Sequence, residues 1–267
     1  MSDTLKAALV QLQSVNDFSK NKKTILNLLN SVELSELDIV FLPENALYMR
    51  LDKKTLPPQL SLEDPLWDKF IDLVADHKTA LHFGGVGMKG ENDRAINASV
   101  FIEPGQSPKV SYVKRSLFDI ELDGHSYRES DAFEAGTSNN ILNYKNWSFG
   151  QSICFDLRFS KQFWDYALSQ VDVILVPSSF LVPTGKAHWH TLLKARAIES
   201  QAYLIAAAQS GDHLGRHQSF GHSLVIGPWG EIIEDLGESV PRIQKFILDR
   251  KPLMDIRKRM PMNRSGF

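Results

Sequence analysis

The sequence predicts a single α/β domain spanning residues 1–267, and three observations carry that expectation. Near-continuous apolar runs such as Leu37-Asp38-Ile39-Val40-Phe41-Leu42 and Val171-Asp172-Val173-Ile174-Leu175-Val176 have the length of strands buried on both faces of a sheet. Segments whose apolar residues recur at helical spacing lie between such runs. No internal repeat, low-complexity tract or linker interrupts the alternation, which suits one layered unit.

In chain order, Leu5 to Gln11 opens as a short buried strand, and Asn16-Asp17 signals the turn into a helix marked by Ile25, Leu28 and Leu29. The Leu37–Leu42 run stops at Pro43-Glu44-Asn45, which places a polar side chain at a strand end. A loop through Leu56-Pro57-Pro58 leads to a helical pattern from Leu66 to Ala75. Ala80 to Gly87 is the next strand, its small residues allowing close approach by neighbours. Ala95 to Ile102 and Val110 to Val113 form a hairpin through Pro104-Gly105, ending at Lys114. The Val171–Val176 strand ends at Pro177-Ser178-Ser179, Lys186 to Gln201 is helical, and Tyr203 to Ala208 is extended. Ser223 to Ile226 and Glu231 to Glu234 make a second hairpin around Gly227-Pro228-Trp229-Gly230.

Composition narrows the classes. With 43% hydrophobic and 23% charged residues the chain is ordinary globular protein rather than disordered. A formal net charge of −2 gives no electrostatic case for nucleic acid or an anionic membrane as partner. The one cysteine cannot form an internal disulfide and fits a reducing compartment. Met1-Ser2-Asp3-Thr4 lacks the basic start of a signal peptide, and no apolar stretch is long enough to span a bilayer. A cytoplasmic protein is expected.

That cysteine, Cys154, lies where the pattern changes period. Trp147, Phe149 and Ile153 are strand-type residues, whereas Phe159, Phe163 and Ala167 repeat at helical spacing. A side chain at such a junction is exposed at the carboxyl end of a sheet, near helix N-terminal N–H groups that favour a thiolate. Flanked by Ile153 and Phe155, a lone cysteine taken by itself is more often a small buried hydrophobe than a catalyst. Glu44, Lys114 and Glu129 also lie at or just after expected strand ends, where ligands collect in open α/β sheets. Glutamate can take a proton from a nucleophile, and lysine with a backbone N–H can stabilise the oxyanion formed when sulfur attacks an amide. Individually, Glu44 also reads as a cap, and Lys114 and Glu129 as solvated charges.

Leu42-Pro43-Glu44, Lys114-Arg115-Ser116-Leu117-Phe118-Asp119 and Ile153-Cys154-Phe155-Asp156-Leu157-Arg158-Phe159 together resemble the three signature segments of the nitrilase (carbon-nitrogen hydrolase) superfamily. The resemblance covers nearly the whole chain. It sharpens at Pro177–Gly185, Ala187-His188-Trp189, Ala195–Glu199, Ala206–Gln209 and Gly221–Gly230, which are similar to the branch containing deaminated glutathione amidase. What it implies is a four-layer αββα sandwich, usually a homodimer or higher homo-oligomer, that uses no cofactor and no metal. Cys154 would be the nucleophile, Glu44 the general base, Lys114 the oxyanion stabiliser aided by the Phe155 N–H, and Glu129 a supporting glutamate. The implied reaction is hydrolysis of a small carboxylated amide through a thioester, releasing ammonia, with deaminated glutathione or a 2-oxo acid amide as substrate. Phe155, Arg158, Phe180 and Thr184 would line the substrate site, and Arg158 could pair with a substrate carboxylate or, structurally, with Asp156 or another acid.

Four departures from the family pattern bear on substrate rather than chemistry: Ser116 where histidine is frequent, Asp123-Gly124 for Pro-Gly, Ser160-Lys161 for Pro-Glu, and Lys186 for glutamate. Other activities stay open, including an omega-amidase, carbamoyl-amide hydrolase or nitrilase, and a metabolite-binding scaffold without turnover. A papain-like hydrolase using His188, His190 or His222 lacks the local pattern around its cysteine. A zinc enzyme built on His188-Trp189-His190 is disfavoured because alternate helical residues point to different faces.

Overall fold

The computed structural model of the chain describes residues 3–262 apart from 53, 54, 93 and 123. Met1 and Ser2 of the leader reading and Asp123 of the departures therefore lie outside the described residues. Two sheets pack face to face between two helical layers. The first has the spatial order Arg242–Asp249, Thr4–Gln11, Ile39–Glu44, Ala80–Lys89, Ala95–Ile102, Lys109–Val113, with Phe133–Glu134 also paired to Ala95–Ile102. The second runs Ile232–Asp235, Leu224–Ile226, Tyr203–Ala206, Val173–Leu175, Trp147–Gln151, Ile141–Tyr144. In each sheet the three central strands are parallel and their flanks antiparallel.

The apolar runs are continuous because both faces of these strands are covered. Ile39 and Phe41 join Phe149, Val173 and Leu175 in the layer between the sheets. Val40 and Leu42 point the other way, onto Ile25, Leu29, Phe70 and Val74 of the helices Phe18–Leu29 and Asp68–His77. Ile174 and Val176 likewise meet Phe163, Trp189 and Leu193 of the helices Ser160–Leu168 and Val182–Ser200. This is the αββα arrangement expected. Asp17 caps the first helix by accepting from the Lys20 N–H at 3.0 Å, an interaction worth about 1 kcal/mol.

One glycine brings the carboxyl ends of the two sheets together. A Cβ at Gly84 would stand 2.0 Å from Pro177 Cβ, so only glycine lets the Ala80–Lys89 strand approach the segment after Val173–Leu175 so closely.

Several bounds differ from expectation. Cys154 opens a short 3₁₀ turn, Cys154–Arg158, and the α-helix begins after it at Ser160. The long helix starts at Val182 rather than Lys186, with Pro183 in its first turn, where its missing N–H is harmless. The Tyr203 strand ends at Ala206, and Glu44 is the last residue of its strand rather than beyond it. The sequence reading also missed the Arg242–Asp249 strand, which pairs with Thr4–Gln11 along its whole length. This strand buries only Phe246 and Leu248, so its alternation is too short to stand out.

Candidate active site

Three strand ends and one turn deliver the polar side chains to one cavity of about 330 Å³. Glu44 closes its strand, and its backbone carbonyl accepts from Gln209 Nε2 at 2.9 Å. Lys114 follows Lys109–Val113; its N–H donates to the Asn97 carbonyl and its own carbonyl accepts from Gly136 N–H, both at 2.8 Å. Glu129 follows the strand His125–Arg128. Cys154 donates its N–H to the Pro177 carbonyl at 2.9 Å and adopts φ 51°, a left-handed conformation rarely taken by residues other than glycine.

Asp156, buried beneath this turn, ties it to the lysine segment. Its carboxylate accepts from the Ile153 N–H at 2.9 Å, the Ser116 N–H at 2.7 Å and the Tyr112 hydroxyl at 2.7 Å. Tyr112 and Ser116 flank Lys114, so one carboxylate sets the spacing between the cysteine turn and the lysine.

The charges form a compact set. Lys114 Nζ stands 2.9 Å from Glu44 Oε1 and 2.9 Å from Glu129 Oε2. Asn97 Nδ2 donates to both glutamates, at 2.9 and 3.2 Å. The backbone N–H of Ser179 donates to Glu44 Oε2, and that of Phe118 to Glu129 Oε2. Cys154 is 7%, Lys114 2% and Glu44 3% exposed, so their interactions are little screened by water.

Burial pushes the Cys154 thiol well above its ordinary range, and the Glu44 carboxylate pushes it further through charge and a hydrogen bond. Lys114 and the Ser179 N–H oppose this without overcoming it. The thiolate expected from a helix N-terminus is therefore corrected: the turn is short, and confinement beside a carboxylate favours the neutral thiol. Burial disfavours the Lys114 ammonium, but Glu129, Glu44 and Cys154 outweigh it and raise the lysine well above its usual value. At neutral pH the resting pair is thiol and ammonium, with a carboxylate beside both that can take the thiol proton.

All four residues expected at the substrate site line the cavity: Phe155, Arg158, Phe180 and Thr184. The Arg158 guanidinium lies over the Phe155 and Phe180 rings, at 5.8 and 5.2 Å from their centroids, and contacts His188 Nδ1 at 3.2 Å. Asp156 is fully engaged elsewhere, and among the described residues no carboxylate forms an ion pair with Arg158. Arg50, Arg128, Arg216 and His217 also line the cavity, and none was anticipated. Burial pushes His217 down to about 4, so this imidazole is neutral at pH 7.

Asn97 was missed as well, although a polar residue inside the apolar strand Ala95–Ile102 is a visible signal. His188, His190 and His222, weighed as bases of a papain-like enzyme, are not among the cavity-lining residues. Ser116 serves through its backbone N–H, and Lys186 is exposed on its helix.

A family described as carbon-nitrogen hydrolase matches residues 6–251. Deaminated glutathione amidase of Dictyostelium discoideum is 29% identical, over 98% of this chain and 94% of its own length. The protein of the same name from Synechocystis sp. (strain PCC 6803 / GT-S) is 32% identical, over 96% and 95%. The crystal structure of the Caenorhabditis elegans NitFhit protein superposes with a TM-score of 0.87 at 30% identity, covering 97% of this chain and 64% of that one. The present chain thus spans less than two thirds of that NitFhit chain.

Proposed function

Because this chain belongs to the carbon-nitrogen hydrolase family, within the Nit branch of the nitrilase superfamily, we propose that Cys154, Glu44 and Lys114 carry out its amide hydrolysis. Glu44 accepts the Cys154 proton as sulfur attacks the amide carbon. The charge that develops on oxygen is met by Lys114 and by the Phe155 N–H, since the opening N–H groups of a helical turn lack intrahelical acceptors. Each such donor is worth about 3 kcal/mol. Glu44 returns the proton to the leaving nitrogen, an amine departs and a thioester remains. Water deprotonated by the same glutamate then attacks the thioester, releasing the acid and restoring the thiol. Glu129 and Asn97 hold the lysine and the base in register.

The leaving amine depends on the amide. A primary amide yields ammonia; the internal amide of deaminated glutathione would instead yield cysteinylglycine, which corrects the expectation of ammonia for that substrate. The observation that carries the reading is the contact between Lys114 and Glu44 in the same cavity as Cys154. For the substrate we propose a carboxylated amide of the deaminated glutathione type. Support comes from the relatives' names and from Arg50, Arg128, Arg158 and Arg216 on the cavity wall.

A homodimer, a cytoplasmic location and a single domain belong to the same proposal. The core cluster shared by the two sheets supports the last, and sedimentation would test the first. The chemical test is intact-protein mass spectrometry after brief exposure to a panel containing deaminated glutathione, primary amides, a carbamoyl amide and a nitrile. A thioester mapped to Cys154 with the carboxylated amides is the expected result. An acyl group on another residue, or turnover undiminished in Cys154→Ala, would overturn the scheme.

A further inference from the structure

We propose that His190, His222 and Asp235 form a binding site for a divalent transition-metal ion of the zinc class, outside the active-site cavity. One ligand atom from each residue falls within 4.8 Å of the other two. His190 Nε2 lies 3.3 Å and His222 Nδ1 3.2 Å from one Asp235 oxygen, Oδ2. Tetrahedral zinc with bonds of about 2.0–2.1 Å has ligand-to-ligand edges of about 3.3 Å. The two edges that meet at Asp235 Oδ2 are therefore close to that length, and the third lies within 4.8 Å.

The three ligands come from different elements: the helix Val182–Ser200, the segment before Leu224–Ile226, and the end of the strand Ile232–Asp235. Each is anchored independently of any ion. The His222 N–H donates to the Gly237 carbonyl at 2.6 Å, while its own carbonyl accepts from Trp189 Nε1 at 2.8 Å. Its ring stacks on Phe220 at 4.6 Å, and the His190 ring meets Phe220 edge-on. Asp235 Oδ1 accepts from the Gly237 N–H at 2.9 Å, an outer contact of the kind that orients metal-binding carboxylates.

Side-chain exposures of 33%, 23% and 31% leave the cluster reachable by an ion and open on one side for a water ligand. Two imidazoles and one carboxylate are a donor set suited to zinc, nickel or copper rather than calcium or magnesium. Neutral imidazoles donating to Asp235 would also satisfy the three groups, and this is the account the test must separate. A bound ion would pin the long helix, whose first turn carries the cavity residue Thr184, to the strand ending at Asp235.

The test uses the full chain carrying Cys154→Ala, which removes the competing thiol, with zinc chloride in titration calorimetry and cobalt chloride in visible absorption. We expect one equivalent of zinc, a cobalt spectrum of low coordination number, and a melting midpoint that rises with added zinc. His190→Ala and Asp235→Asn, each checked for folding by circular dichroism, should weaken binding by about tenfold or more and abolish the zinc-dependent rise. Absence of zinc binding by the parent, or unchanged binding when both substitutions are combined, would overturn the site.

Discussion

The backbone N–H of Ser179 donates to Oε2 of Glu44 at 2.9 Å, across 135 residues of chain. Glu44 ends a strand of one sheet and Ser179 follows the Val173–Leu175 strand of the other, so the proposed base is gripped from both sides of the sandwich. Its second oxygen faces Lys114 and Asn97. The carboxylate is thereby held in one orientation before substrate arrives, as proton transfer at a defined atom requires.

Replacing Cys154 by Ala should leave folding within about 1 kcal/mol of the parent and reduce amide turnover by at least about 10⁴-fold. A denaturant titration and a discontinuous assay of the released acid check both halves.

Lys114→Gln removes the cation between two largely buried carboxylates. Breaking such a set should cost about 3–5 kcal/mol of stability, beyond the loss of activity, and urea unfolding would measure it. A stability change near zero would place the glutamates in water rather than in the geometry described.

Alkaline pH should weaken the fold. Cys154 and Lys114 both hold their protons more tightly in the folded chain than at their ordinary values of 9.0 and 10.5. The folded state therefore binds more protons above those values, and stability falls as pH rises through them. Cys154→Ala should lose the part of the decline that begins near pH 9, which unfolding curves at a series of pH values would reveal.

Acid acts through a different residue. Burial between the sheets pushes His82 down to about 4 from 6.5, against hydrogen bonding to Gln151 Oε1. The unfolded chain binds the extra proton first, so stability is lost as pH falls from 6.5 toward 4. The total is about 3 kcal/mol by linkage. His217 titrates in the same window, and the difference between the parent and His82→Gln isolates the buried residue.

Arg158→Met should raise KM for a carboxylated amide by about 10- to 100-fold, the range for losing a charge-assisted contact. An uncharged amide of similar size should change little. Equal effects on both would mean that the guanidinium supports the Phe155 and Phe180 rings rather than the substrate.

Glu44 was legible because an apolar run buried on both faces breaks off at it, Lys114 because it ends an expected hairpin strand, and Cys154 because a strand pattern there gives way to helical spacing. Glu129 was harder to place, since it follows a short, exposed hairpin with little periodicity. Asp156 entered the sequence reading only as a partner for Arg158, whereas it anchors the cysteine turn to the lysine segment. That role depends on Tyr112 and Ser116 lying beside it, a proximity that local spacing does not encode. The four arginines reach the cavity from separate segments and carry no shared pattern.

Apolar periodicity along the chain determined by itself the buried central strands and the helices packed on them, because burying a face is a local property of side-chain spacing. The signature segments likewise singled out Glu44, Lys114 and Cys154, which the fold brings to one cavity. Only tertiary packing decided the state in which those groups rest. The close approach at Gly84 and Pro177 and the burial of the lysine between two glutamates exist only once the sheets face each other. In that dry enclosure burial and a neighbouring carboxylate outweigh Lys114 and the Ser179 N–H, and the sulfur keeps its proton.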